Sequence, residues 1–289
     1  MKTHPDRFPA ESFFLTAAPG KRFCIYHAPP PDRVCRGAFI YVHPFAEEMN
    51  RSRRVVTLQA RQFAENGYAV LIIDLFGCGD STGEFADATW EIWKADLGIA
   101  EKWLIQRLHT QIGLWGLRLG ALLAMDFARH AQNRITSIIL WQPVINGKSF
   151  MTQFLRLRAA SSILADGQKP IGTSVTTNAM RSAMLDGETF EIAGYDISPA
   201  LTSAIDALDA KTLWVNTAPI YWFDISGPGL NTIPSLTTEV VNEWRRQNAD
   251  LHQHAVLGQP FWALQDISDA PALLTVTTSL LDEGSVMSK

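Results

Sequence analysis

The chain has 289 residues, 47% of them hydrophobic and 19% charged, with a net charge of −4. That length is enough for one large α/β domain, or one domain with an insertion, and the composition is that of a globular protein with a substantial core. The mild charge, without a basic run, argues against nucleic acid as a partner, and no apolar stretch reaches the ~18 residues that a membrane span needs.

The first stretch, 1–14, carries His4, Asp6, Arg7 and Glu11 and no apolar h-region, so no signal peptide is expected and the expected location is the cytoplasm. Apolar segments at 13–16 and 23–27, split by Pro19-Gly20, predict a hairpin of edge strands. Residues 38–42 form a continuous apolar run, as in a strand buried on both faces, and His43-Pro44 ends it. Residues 53–66 carry Val55, Val56, Leu58, Ala60, Phe63 and Ala64 mostly on one side, which predicts a helix closed by Gly67. The basic cluster Arg51, Arg53 and Arg54 reads as a solvated first turn of that helix. A buried strand follows at 68–73, then the turn-rich loop Asp74-Leu75-Phe76-Gly77-Cys78-Gly79-Asp80-Ser81-Thr82-Gly83.

A helix is expected at 90–108, with Trp90, Trp93, Leu97, Ala100 and Leu104 at core spacing. A strand at 112–115, a helix at 118–130 and a strand at 135–141 complete an alternation typical of a parallel sheet with right-handed crossovers. Between about 146 and 209 the alternation breaks into helical pieces (150–164, 177–185, 201–208) without a strong strand. It resumes with a strand within 212–225, a helix at 237–246, a last strand at 252–257 and a closing helix within 260–281. Cys24, Cys35 and Cys78 are odd in number and lack ligand spacing, so neither a disulfide framework nor a metal site is expected, and nothing asks for a redox cofactor.

Chemistry concentrates at Gly116-Leu117-Arg118-Leu119-Gly120, between a strand and a helix. This is the layout of a nucleophile elbow, G-x-S-x-G, with arginine in the serine position. A guanidinium stays protonated at physiological pH and cannot serve as a nucleophile.

The order of elements resembles the α/β-hydrolase fold, a mostly parallel sheet flanked by helices, with 1–145 and 211–289 as its core and 146–210 as a helical cap. Three segments carry the resemblance. His43-Pro44-Phe45 stands where these enzymes lend an oxyanion-hole amide, 74–81 looks like their D-x-x-G-x-G-x-S loop, and 116–120 is the elbow. The combination of 43–50, His43-Pro44-Phe45-Ala46-Glu47-Glu48-Met49-Asn50, with the elbow resembles the exosortase A system-associated hydrolase 2 family. That resemblance implies a bacterial protein linked to PEP-CTERM sorting and exopolysaccharide production.

In this fold the triad runs nucleophile, acid, histidine along the chain. The stretch after the last strand, Val256-Leu257-Gly258-Gln259-Pro260-Phe261-Trp262, has no histidine. His252 and His254 lie earlier and alternate along the strand, so both point to one face; either a plain strand face or a displaced base fits. Asp224 is the nearest acid, and it equally suits a turn before Ser226-Gly227-Pro228-Gly229. Cys78, flanked by glycines, is a substitute nucleophile only if His43 reaches it; a small loop residue is the plainer account.

Arg118 at a helix start suits an anion. Glu47 or Glu48, on the loop after His43, could pair with it and plug the old oxyanion hole; an external acyl carboxylate, phosphorylated lipid or acidic sugar could take the same place. Lining residues are then His43, Phe45, Glu47, Glu48, Arg118 and Leu119. Two functions stay open: an ester or acyl hydrolase or transferase, with candidates Arg118, Cys78, His43, Glu48, Asp224 and His254, or a silent protein binding an anionic ligand or, through the cap, a protein partner.

Overall fold

The apolar runs become the buried strands of one eight-stranded sheet. The structure is a computed structural model and describes residues 10–165, 176–227, 235–266 and 268–281. In chain order the strands are β1 Glu11–Thr16, β2 Lys21–His27, β3 Gly37–Val42, β4 Tyr68–Ile73, β5 Ile112–Leu117, β6 Ile135–Trp141, β9 Ile220–Ser226 and β10 Leu251–Leu257. A two-stranded hairpin, β7 Phe190–Ile192 and β8 Tyr195–Ile197, lies outside this sheet. The sheet order is β1-β2-β4-β3-β5-β6-β9-β10, with β1/β2 and β2/β4 antiparallel and every other pair parallel.

Side chains alternate across the strands and build two cores. Leu114 joins one with helices α2 (Trp90–Leu108), α3 (Leu119–His130) and α7 (Ser235–Arg246). Trp115 and Leu117 join the other with α1 (Glu47–Glu65) and α8 (Pro271–Ser279). The chain runs from β3 to β4 on one side, then to β5 on the other side of β3. Strand order reverses there, and such a reversal opens a crevice at the carboxyl ends of β3 and β5. The residues after β3 and after β5 meet in it.

After β6 the chain builds α4 (Gly147–Ala165), α5 (Thr177–Leu185), the β7/β8 hairpin and α6 (Pro199–Asp206). It returns through a bridge between Asn146 and Asp209, flanked by Gly147 N–H to Leu208 O and Ala210 N–H to Ile145 O, both 2.9 Å.

Several expectations need correction. Of the two strands of the expected edge hairpin only β1 lies at an edge, because β2 also pairs with β4. Helix α1 starts at Glu47 and not at Arg53, since its first turn is mostly polar and hides the helical period. Glu47 and Glu48 are therefore helical residues and not loop residues. Arg51, Arg53 and Arg54 lie in later turns, Arg53 paired with Asp74 at 3.0 Å and Arg54 with Asp269 at 2.7 Å. The 146–209 stretch does contain strands, the β7/β8 hairpin, turned through Ala193 and Gly194 at φ 51° and 84°. Two positive φ angles are what a two-residue hairpin loop requires. Strand β9 starts only at Ile220 and the closing helix only at Pro271. The opening stretch 1–9 and residues 228–229 of the expected turn lie outside the described residues.

Candidate functional site

The elbow keeps its geometry without its serine. β5 ends at Leu117, α3 begins at Leu119, and Arg118 alone makes the turn at φ 56°, ψ −119°. A side chain held there costs about 1–3 kcal/mol, so surrounding contacts must impose it. Arg118 N–H donates to Trp141 O at 3.0 Å, and its carbonyl accepts from Ala121 N–H at 3.1 Å and Val144 N–H at 3.3 Å. The glycines of the motif are steric needs. A Cβ on Gly120 would come within 2.3 Å of Val42 O, and one on Gly116 within 2.5 Å of Ala121 Cα.

From the other side of the crevice, β3 runs through His43, Pro44 and Phe45 to Ala46, which holds a similar strained turn at φ 51°, ψ −130° and opens α1. Successive helical residues point about 100° apart, so only one of the two leading glutamates can face the elbow. It is Glu48: Arg118 Nε donates to Glu48 Oε1 at 3.3 Å. Both side chains are about one-fifth exposed, at 20% and 22%. Burial pushes the Glu48 carboxyl up from its ordinary value, and Arg118 partly opposes that shift. Glu48 Oε2 is buried without a hydrogen-bond partner. Glu47 turns instead to the rim, where Asn50 Nδ2 at 3.1 Å and the Tyr195 hydroxyl of β8 at 3.3 Å donate to its Oε2.

The Arg118 guanidinium lies 5.3 Å from the ring centre of Trp262, a cation–π distance. Trp262 sits on the loop after β10, the stretch that lacks a histidine. Sequence reasoning missed this tryptophan, and its position in that stretch was the available signal.

His43 is buried and uses both ring nitrogens. Leu75 N–H donates to Nε2 at 3.2 Å, which leaves Nδ1 protonated and donating to Pro44 O at 2.7 Å. Burial lowers its pKa, so the ring is neutral, with no free lone pair for Cys78. The Cys78 thiol is pushed up by burial and by the carboxylates of Asp74 and Asp96, which keeps it protonated. That is the opposite of what a thiolate nucleophile needs. Phe45 is buried edge-on against Phe85, Trp93, Phe150 and Phe154, with ring centres 5.1–6.3 Å apart. The apolar cavity between Phe45, Leu119, Trp90 and Trp93 holds about 10 Å³, room for one water at most.

Asp224 and His254 do not meet. The register runs Leu117, Trp141, Phe223, His254 across four strands, so His254 stands three strands, ~14 Å, from the elbow. Its ring stacks on Phe223 at 4.9 Å, as that of His252 does on Tyr221 at 5.0 Å. Asp224, next to Phe223, points to the opposite face. There it accepts from Trp222 Nε1 at 3.1 Å and Gln253 Nε2 at 2.9 Å, and burial raises its carboxyl. Among the described residues no cluster of three or more His, Cys, Asp or Glu side chains suits a metal, and no helix is long and apolar enough to cross a membrane.

The model of the family described as serine aminopeptidase, S33, matches residues 34–186, just over half of the chain. Comparison by sequence with curated proteins gives no match. Among solved structures, a soluble variant of monoglyceride lipase from Saccharomyces cerevisiae, in complex with a substrate analog, superposes with a TM-score of 0.64 at 14% identity, covering 98% of both chains. A thermostable carboxyl esterase from Bacillus coagulans, in complex with glycerol, gives 0.62 at 14% identity over 97% of this chain and 100% of that one. Est1E from Butyrivibrio proteoclasticus with bound ferulic acid gives 0.61 at 14% identity over 94% and 97%. The fold is that of the α/β hydrolases.

Proposed function

From the premise that the chain belongs to the serine aminopeptidase S33 family of α/β hydrolases, we propose that it is a non-hydrolytic member whose elbow binds a small anion through Arg118. The observation that carries this reading is Arg118 in the nucleophile's place, between Glu48 and Trp262. A guanidinium can neither attack a carbonyl nor lose its proton at neutral pH. It is a planar donor fork for a carboxylate or phosphate, set at the first turn of α3, where free amides and the helix dipole favour negative charge.

The resemblance of 43–50 and 116–120 to the exosortase A system-associated hydrolase 2 family supports placing the ligand in bacterial exopolysaccharide production, as an acidic saccharide or acyl carboxylate met in the cytoplasm. The 146–210 segment acts as the cap: Phe150 and Phe154 pack on Phe45, and Tyr195 reaches Glu47. Ferulic acid, bound by Est1E, is itself a carboxylic acid.

The test is turnover of p-nitrophenyl esters and acyl thioesters, with fluorophosphonate labelling, by the wild type, Arg118→Ala and Cys78→Ala. No turnover and no label are expected in any of them. Sodium glucuronate or butyrate raises the melting temperature of the wild type and not of Arg118→Ala. Turnover that disappears in either variant would establish instead an ester or acyl hydrolase with a non-serine centre.

A further inference from the structure

The Arg118–Glu48 contact is an incomplete ion pair. It uses Nε alone, at 3.3 Å, and the two terminal guanidinium nitrogens donate to no acceptor among the described residues. On the other side Glu48 Oε2 is buried and unpartnered. A bidentate match would satisfy two nitrogens and two oxygens at once, with shorter contacts. Glu48 thus occupies the anion's place without filling it.

The cavity between Phe45, Leu119, Trp90 and Trp93, about 10 Å³, is lined by neither Arg118 nor Glu48 and has no room for a ligand. An anion that takes the guanidinium by its Nε edge, the edge that Glu48 now touches, displaces Glu48. The charges around Glu48 then decide the state of the displaced carboxylate. Arg51, one turn along α1, is engaged with Glu47 at 3.7 Å and with Ala263 O at 2.8 Å. From β3 the group that faces Glu48 is the hydroxyl of Tyr41, itself buried and un-ionised. From the α3 end the only cation among the described residues is Arg118. Among the described residues the one other cation that acts on Glu48 is Arg51, already held by those two contacts, and a half-buried carboxylate that loses its Arg118 partner is driven to take a proton.

We infer that the ligand of the elbow is a carboxylate that replaces Glu48 on Arg118, so that binding exchanges one carboxylate for another and adds one proton to Glu48. This rests on the reading of the elbow as an anion site. The balance is simple: one negative charge enters with the ligand, one proton comes from solvent, and the charge of the site is unchanged. A planar two-oxygen anion matches the Nε edge of the fork, where Glu48 makes a single contact, and the single charge that Glu48 supplies now. A phosphate dianion would bring a charge that nothing nearby compensates. The direction of the shift already present at Glu48 agrees, since burial holds its carboxyl above the ordinary value even with Arg118 in place.

The experiment is calorimetric titration of the full chain with sodium glucuronate, sodium butyrate and inorganic phosphate, near neutral pH, in two buffers of different ionisation enthalpy. The expected result is uptake of about one proton per carboxylate bound, with affinity falling about tenfold for each unit of rising pH. Glu48→Ala is expected to bind the carboxylates about tenfold more tightly, with neither proton uptake nor pH slope. Carboxylate binding by the wild type without proton uptake, and unchanged in Glu48→Ala, overturns the exchange and leaves the elbow an anion site. Phosphate binding in preference to both carboxylates overturns the ligand class. Binding of no titrant by either protein overturns the elbow reading as well. Should Glu48→Ala fail to fold, the proton count and pH slope of the wild type decide alone.

Discussion

At the scale of single residues, the elbow keeps its geometry with an arginine in the serine's place. Arg118 keeps the strained turn because Gly116 and Gly120 let β5, α3 and the β3 terminus approach, and because Trp141 and Val144 hold its peptide groups. A Cβ on Gly120 would sit 2.3 Å from Val42 O and 2.4 Å from His43 O, both backbone atoms that cannot swing aside. Gly120→Ala is therefore expected to cost about 3 kcal/mol or more, or to prevent soluble expression, as measured by urea unfolding. These glycines, and the inability of Arg118 to act as a nucleophile, were legible in the sequence because both depend on the residue and its nearest neighbours. The role of Trp262 was not legible: a ring becomes a guanidinium platform only when the fold brings two distant loops together.

Among the elements, α1 and the β7/β8 hairpin show where local patterns mislead. In the first turn of α1 only Met49 faces the core, so apolar periodicity starts later than the helix does. The hairpin strands have three residues each, too short for an alternation to be visible. Yet α4 packs Phe150 and Phe154 on Phe45, and the hairpin packs Tyr195 on Phe85, which itself lies against Phe45. Truncating a buried phenylalanine costs about 3–5 kcal/mol. Phe45→Ala is expected to lose that much stability and to enlarge the closed apolar cavity. The enlargement is read as binding of a small apolar probe such as benzene, which the wild type does not bind. Equal stability of the two proteins would contradict the packing described for α4.

For the whole molecule, the strand order makes the site. It sets β3 between β4 and β5, so that residues of the two crossovers meet, and it joins the antiparallel β1/β2 unit to the parallel strands through β4. That junction carries an acid-sensitive group. His27, buried at the end of β2, is pushed down to about 4 by burial and by Arg61. The unfolded chain takes up a proton below 6.5 that the folded chain refuses, so the stability is present above 6.5 and lost as pH falls through about 4. The loss amounts to about 3 kcal/mol, and the buried His43 adds one of the same sign. Urea unfolding of the wild type and His27→Leu between neutral and acid pH checks this: the variant keeps a flatter profile, and parallel profiles would dismiss His27 as the cause.

By itself the sequence determined the strand–helix alternation, the elbow at 116–120 and the arginine in its nucleophile position. Apolar period, turn chemistry and the protonation of a guanidinium are local properties. Only the tertiary structure decided that Glu48 and not Glu47 meets Arg118, that Trp262 lies against the guanidinium, and that Asp224 and His254 face opposite sides of the sheet. Arg118 and Glu48 are 70 residues apart in the chain. Their contact depends on where α1 begins and on which strands are neighbours, and burial of the whole core sets both.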